Sequence, residues 1–146
     1  MLQDIYPLLL IVHLFCAIVF VGYLFFDVII YPNVKRLGKE LDNQVSNAIA
    51  KRARRIMPIC VLLLLITGIM MMVNYIGGDL GYFGSRFQVL LMIKVALASI
   101  IFIFVATSLT CAFVLKCKNP LGKIIHPVAF VLSICIIILA KLMFYA

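Results

Sequence analysis

The fold is decided by residues 6–31, which read YPLLLIVHLFCAIVFVGYLFFDVIIY. This run contains one histidine and one acidic residue, and almost every other side chain is apolar or aromatic. A helix needs roughly 20 apolar residues to cross a bilayer, so the run is long enough to span one. Pro32 follows it directly and is expected to end its helix. Three more apolar runs occupy about 56–74, 87–115 and 124–144. The sequence therefore predicts an all-α integral membrane four-helix bundle, with residues 1–146 as a single domain.

The composition favours a membrane protein. Of the 146 residues, 66% are hydrophobic and 12% are charged, and a soluble domain of this size has too little interior to bury so much apolar surface. The net charge of +8 is concentrated in the connections between the first and second runs and between the third and fourth. Those connections hold ten of the thirteen basic residues, namely Lys35, Arg36, Lys39, Lys51, Arg52, Arg54, Arg55, Lys116, Lys118 and Lys123.

This distribution of charge predicts the topology. Basic connections between apolar spans are typical of cytoplasmic loops. Both termini are therefore expected outside, in a multi-pass protein of a bacterial-type inner membrane. The loop after the second run, IGGDLGYFGSR (residues 76–86), lacks a basic excess and is expected to face outward. No nucleic-acid partner is expected, because the basic residues flank membrane spans and do not form one stripe.

The connection before the second run has its own periodicity. Leu41, Val45 and Ile49 recur at four-residue spacing, which predicts an amphipathic helix leading into the second span. Such a helix lies either on lipid headgroups or in solvent as an extension of the membrane helix, and the sequence leaves both open.

The cysteines show no paired motif, so no disulfide framework is expected. They are Cys16, Cys60, Cys111, Cys117 and Cys135.

Five ionisable side chains interrupt the apolar runs, and they are His13, Asp27, Lys94, His126 and Lys141. A charge at the centre of the hydrocarbon costs about 2.5–3.5 kcal/mol, so each of these residues needs a physical reason. With both termini outside and a rise of about 1.5 Å per residue, His13, Lys94 and Lys141 reach one layer near the outer surface. Asp27 is expected to pair with a basic loop residue, and His126 to lie at the inner interface.

Two kinds of ligand suit this outer layer. A neutral imidazole is a common axial ligand of haem iron, and lysine cations suit haem propionates. Met70, Met71 and Met72 reach nearly the same depth, and their thioethers together with His13 would suit Cu(I). Three consecutive residues spread over more than half of a helix circumference, so at most two of these methionines can face the interior. The sequence lacks the patterns of hydrolases and phosphate-binding loops.

The order of these residues resembles two related four-helix membrane families, the HemJ-type protoporphyrinogen oxidases and the CopD-type copper resistance proteins. The resemblance rests on His13 opening HLFCAIVFVGYLFFDVIIYP, on RARRIMP entering the second span, on Lys94 in LLMIKVALASIIFIF and on Lys141 in IILAKLMF. HemJ-type proteins bind haem b and depend on a first-helix His and a third-helix Lys, which implies those roles for His13 and Lys94. Unlike that family, this chain has no Trp and no His in its third run.

We therefore expect a haem b-binding redox protein that resembles HemJ-type protoporphyrinogen oxidase. His13 would be the axial ligand, Lys94 the catalytic residue near the iron or a propionate, and Lys141 a second partner for an anion. Electrons would pass to or from a porphyrin or a quinone, with lipid around the protein and a homo-oligomer left open. One alternative is copper binding or transport through His13, Met70, Met71 and Met72. The other is a non-catalytic subunit of a larger membrane protein.

Overall fold

The structure, a computed structural model, describes residues 1–117 and 122–145. These residues are predominantly helical and contain no strand. The α-helices are α1 (Leu2–Phe25), α2 (Pro32–Lys35), α3 (Lys39–Met72), α4 (Arg86–Phe113) and α5 (Gly122–Leu142). Four segments in the described ranges are long and apolar enough to cross a membrane, namely Gln3–Lys35, Lys39–Met72, Arg86–Phe113 and Gly122–Leu142. The prediction of an all-α protein with four helices of membrane-spanning length is thereby confirmed.

Pro32 does not end the first helical path, contrary to the prediction. α1 continues into a π-helical turn, Phe26–Ile30, in which the Tyr31 amide donates to the Phe26 carbonyl at 2.8 Å. Pro32 then occupies the first position of α2. Proline is tolerated there because the first amides of a helix have no intrahelical acceptor. The helical path therefore extends to Lys35.

α3 is one continuous helix of 34 residues, or about 50 Å at 1.5 Å per residue. It begins after Gly38, whose φ of 135° is a conformation that favours glycine. Since the hydrocarbon core is about 30 Å thick, part of α3 must extend beyond it. The helix predicted before the second span is confirmed, and it forms a direct extension of that span. The Tyr31 hydroxyl donates to Asp42 Oδ1 at 2.5 Å, which ties this extension to the end of the first helical path.

Gln88 organises the loop between α3 and α4. Its side chain is 7% exposed, and its Nε2 donates to the carbonyls of Tyr75 and Leu80, both at 3.0 Å. Its Oε1 accepts from the Gly84 amide at 2.8 Å. Ser85 caps α4 by accepting a hydrogen bond from the Gln88 amide at 3.2 Å. The buried side-chain amide of Gln88, in the first turn of α4, thus satisfies backbone groups along most of this glycine-rich loop.

The bundle has a definite order of neighbours. α1 packs along α3 and α5, α4 packs along α5, and the contact between α3 and α4 is short. Within the described residues α1 and α4 make no backbone contact, so they lie diagonally across the bundle. The central core consists of Phe20, Leu24, Val61, Ile101 and Ala129. A second cluster, at the end of α3 and the start of α4, consists of Ile76, Leu91 and Met143.

Most of the apolar surface of the four long helices faces outward. At most 17% of the residues in the most apolar part of each span are buried, and large side chains such as Ile11, Ile18 and Ile103 are more than half exposed. Water is a poor solvent for a surface of this kind, whereas lipid tails cover it at no cost. This distribution of burial is that of a protein built for a bilayer.

Candidate functional site

The site is centred on His13, which lies midway along α1 and is half-buried. Its Nδ1 is 2.8 Å from Oγ1 of Thr67 on α3. Thr67 is 4% exposed, and its hydroxyl donates to the Leu63 carbonyl at 2.6 Å. Because the Thr67 proton is used in that bond, the hydroxyl oxygen accepts from His13 Nδ1–H. The network places a proton on Nδ1, so that in the neutral ring the lone pair lies on Nε2, the form that binds a metal or accepts a proton.

Gly68 allows α1 and α3 to approach each other beside His13. A Cβ added at Gly68 would lie 3.4 Å from His13 Cε1. That separation is an ordinary contact for a methyl group, but it leaves no room for a longer side chain. Small residues at helix contacts in membranes serve this purpose, because they let two backbones approach closely. The glycine therefore helps to place the imidazole against Thr67.

Gly68→Leu should destabilise the packing of α1 on α3 by about 1–3 kcal/mol, because the added side chain would collide with the imidazole. Gly22→Leu is a matched control. Gly22 is an exposed glycine of α1, and a Cβ there would meet nothing within 4 Å. Leucine is a better helix former than glycine, so the control should be neutral or slightly stabilising. Chemical unfolding in detergent measures both variants, and equal effects would contradict the close approach at Gly68.

Lys94 is the second predicted site residue that the structure brings toward His13. It is half-buried on α4, and its ammonium group lies within range of a Coulombic interaction with the His13 imidazole. Since α1 and α4 are diagonal, this interaction acts across the interior of the bundle. A half-buried ammonium group in an apolar span is costly unless an anion or water accompanies it. The pair therefore combines an imidazole, a side chain able to ligate a metal, with a cation that requires a partner.

The other predicted site residues lie in different surroundings. Lys141 is exposed in the last turn of α5. Met72 packs against the second cluster, beside Leu91 and Met143. Met70 and Met71 are half-buried, and they lie three and four residues after Thr67, which puts them on its face of α3 about one turn further along. Of the three predicted methionines, Met70 and Met71 thus share the face of α3 that carries Thr67, while Met72 packs in another contact.

The sequence analysis missed Thr67, which contacts His13, and Asn74, a polar residue in the turn after α3. Asn74 lies seven residues after Thr67, in the turn that follows the last residue of α3. Its Nδ2 is buried and has no hydrogen-bond partner among the described residues. A buried amide donor without a partner costs about 1–3 kcal/mol. The available signal was a polar side chain inside or at the end of an apolar run. Such a residue can be assigned to a site only when the structure shows which groups lie beside it.

A second polar contact joins the opposite end of α1 to α5. His126 Nδ1 lies 2.5 Å from Asp27 Oδ2, and the Tyr23 ring meets the imidazole edge-on at a centroid distance of 6.0 Å. The expectation that Asp27 pairs with a basic loop residue is wrong in this structure. Asp27 belongs to the π-helical turn, which has a wider repeat than an α-helix and so turns its side chains to a different face. A carboxylate hydrogen-bonded to one imidazole nitrogen orients the ring and leaves the other nitrogen available.

Comparisons with known proteins add nothing to this geometry, because no family model, curated protein or solved structure matches the chain. The resemblance to HemJ-type and CopD-type proteins accordingly rests on the residues of the chain alone.

Proposed function

We propose that this protein is a haem b-binding redox protein of a bacterial-type inner membrane, in which His13 would hold the haem iron. The observation that carries the proposal is the hydrogen-bond chain from His13 Nδ1 through Thr67 to the Leu63 carbonyl. That chain fixes the ring and leaves Nε2 with its lone pair. Metal-ligating histidines typically donate their other ring N–H in this way, and the bond also makes the ligand nitrogen more basic.

The chemistry of Lys94, Lys141 and Asn74 fits haem b, and of these three residues Lys94 is the one that the structure brings toward His13. Haem brings two carboxylates, and Lys94 together with Lys141 would supply the cations to pair with them. Asn74 Nδ2, in the turn after α3, is a buried donor without a hydrogen-bond partner among the described residues, and an acceptor on a bound group would satisfy it. When bound, haem supplies one-electron transfer, while the protein supplies binding, orientation and tuning. In this proposal Lys94 is the catalytic residue, holding a proton at Nζ beside a porphyrin or quinone that exchanges electrons.

The proposal includes an orientation in the membrane. The exposed basic residues Lys51, Arg52 and Arg54 lie on the N-terminal half of α3, and basic clusters of this kind favour the cytoplasmic side. Both termini would then be outside, and His13 would lie nearer the outer surface. The Asp27–His126 pair would lie near the inner one. A reporter enzyme fused to the C-terminus tests this topology directly.

An absorption spectrum of the purified protein, with a metal assay on the same sample, tests the haem proposal. We expect a Soret band that His13→Ala abolishes, because the variant has no imidazole in that layer. His126→Gln is the matched control, since it removes the other histidine of the chain and should leave the band in place. A Soret band of unchanged height in His13→Ala would rule out His13 as the ligand.

Copper at the same site is the second candidate, and the position of Met70 and Met71 beside Thr67 favours it. One imidazole and two thioethers are soft enough to select Cu(I). A protein without haem, holding copper that is lost in a variant with Met70→Leu and Met71→Leu but kept in Met72→Leu, would establish this function. A protein with neither cofactor would instead be a membrane subunit without chemistry of its own.

A further inference from the structure

Four basic residues lie close together on α3 just before its apolar part, and they form what we call the basic face of α3, namely Lys51, Arg52, Arg54 and Arg55. All four side chains are exposed. At about 100° per residue they fall within about 160° of the helix circumference. The half-buried residues of the same segment fall within about 100° on the other side, and they are Ile49, Ala50, Ala53 and Met57. The helix therefore turns its four cations away from the bundle.

The position of the basic face along α3 corresponds to a membrane surface. The apolar part of the helix that follows it, residues 56–72, is about 25 Å long at a rise of about 1.5 Å per residue. That length is close to the thickness of the hydrocarbon core, which is about 30 Å. When the apolar part lies in the hydrocarbon, the four cations therefore lie at the level of the lipid headgroups.

An exposed apolar stripe continues from the basic face along the outside of α3. Ile59, Leu62 and Ile66 are 59%, 54% and 46% exposed. At about 100° per residue, these three side chains fall within the same 160° or so of circumference as the cations. One side of α3 thus presents cations at headgroup level and apolar side chains at the level of the acyl chains.

Among the described residues, no carboxylate lies within ion-pairing distance of the basic face. The chain has five acidic residues, namely Asp4, Asp27, Glu40, Asp42 and Asp79. Asp4 pairs with the terminal amino group and Asp27 with His126, while Asp42 accepts from the Tyr31 hydroxyl. Asp79 lies in the loop at the opposite end of α3. Glu40 precedes Lys51 by about 16 Å along the helix, which is beyond the Debye length of about 8–10 Å. The counter-charge for these cations must therefore come from outside the described protein.

We propose that the basic face of α3 binds the headgroups of anionic phospholipids, with the acyl chains against the apolar stripe of Ile59, Leu62 and Ile66. Three of the four cations are arginines, whose planar guanidinium groups donate two parallel hydrogen bonds to a phosphate. A zwitterionic headgroup carries the same phosphate together with a cation of its own, so it suits the basic face less well. The surface is separate from His13, and the proposal does not depend on the proposed haem.

Native mass spectrometry of the full chain in a neutral detergent tests the proposal, with phosphatidylglycerol or phosphatidylcholine of the same acyl chains added. We expect the wild type to bind phosphatidylglycerol more tightly than phosphatidylcholine. Arg52→Gln alone should weaken phosphatidylglycerol binding by about fivefold, which is the usual contribution of one basic residue at an anionic membrane surface. The variant with Arg52→Gln, Arg54→Gln and Arg55→Gln should lose the preference between the two lipids.

The variant with Lys35→Gln, Arg36→Gln and Lys39→Gln is the matched control. It removes the same number of exposed cations from the same side of the bundle, but Lys39 precedes Arg55 by about 24 Å along α3. The control should keep the preference for phosphatidylglycerol. Glutamine is a good helix former, and the replaced side chains are exposed, so all variants should fold. Circular dichroism of each variant checks the helix content.

Three results would overturn the proposed lipid site. The first is equal affinity of the wild type for the two lipids, or an unchanged preference in the variant with three arginines replaced. The second is an equal loss of preference in the control, which would make the effect one of net charge alone. The third is displacement of phosphatidylglycerol by an equal concentration of inorganic phosphate, which would make the basic face a site for soluble anions. None of these results depends on whether the protein holds haem.

Discussion

In the proposed haem site, Thr67→Val should weaken haem binding by about 10- to 100-fold, which is the usual effect of removing the hydrogen-bond partner of a metal-ligating histidine. Valine has nearly the shape of threonine, so the packing of α1 on α3 should change little. The variant loses the oxygen that accepts from His13 Nδ1–H at 2.8 Å. The imidazole is then free to rotate or to adopt the other tautomer, and it becomes a poorer ligand. Titration of the haem-free protein with haem measures the change.

Thr67→Ser is the matched control for this prediction. It keeps the hydroxyl that donates to the Leu63 carbonyl, so haem affinity should stay close to that of the wild type. Nitrogen-15 NMR of the haem-free protein gives a second readout that does not depend on haem. His13 should show a protonated Nδ1 in the wild type and in Thr67→Ser, and a mixture of tautomers in Thr67→Val. Equal affinities for haem in the valine and serine variants would show that the hydroxyl does not orient the ligand.

Gln88→Ala should destabilise the protein by about 2–4 kcal/mol, because it removes the hydrogen-bond partner of several backbone groups at once. The carbonyls of Tyr75 and Leu80 lose their shared donor, and the Gly84 amide loses its acceptor. Because Gln88 is 7% exposed, water replaces these bonds only after the loop opens. Chemical unfolding in detergent measures the loss of stability. Hydrogen exchange at the Gly84 amide should become faster.

Val89→Ala provides the matched control for Gln88→Ala. Val89 is the next residue of α4 and is 39% exposed, so its truncation removes a side chain of the same helix turn and leaves the hydrogen bonds of Gln88 in place. The effect should stay within about 0.5 kcal/mol, as is usual for surface substitutions. If the two variants are equally stable, Gln88 does not organise the loop between α3 and α4.

The sequence was sufficient to predict the four long helices, because their signal is local. An apolar run of some 20 residues has one stable solution in a bilayer, a helix that satisfies its own backbone groups. The cost of a charge in the hydrocarbon also singled out His13 and Lys94. The prediction that Pro32 ends the first helix was wrong, and the reason is also local. A proline after an apolar run is compatible both with the end of one helix and with the first position of the next.

The sequence alone therefore determined the helices, their membrane-spanning length and the rare ionisable residues within them. Each of these follows from the composition and spacing of one segment. Tertiary structure alone decided the partners. Thr67 lies 54 residues from His13, and Asp27 lies 99 residues from His126. Such contacts depend on which helices are neighbours and on how each helix is rotated. Gly68 allows the close approach beside His13, and the π-helical turn sets the face that carries Asp27. These features act between segments or at the ends of helices, where the helical periodicity of the sequence carries no information about partners.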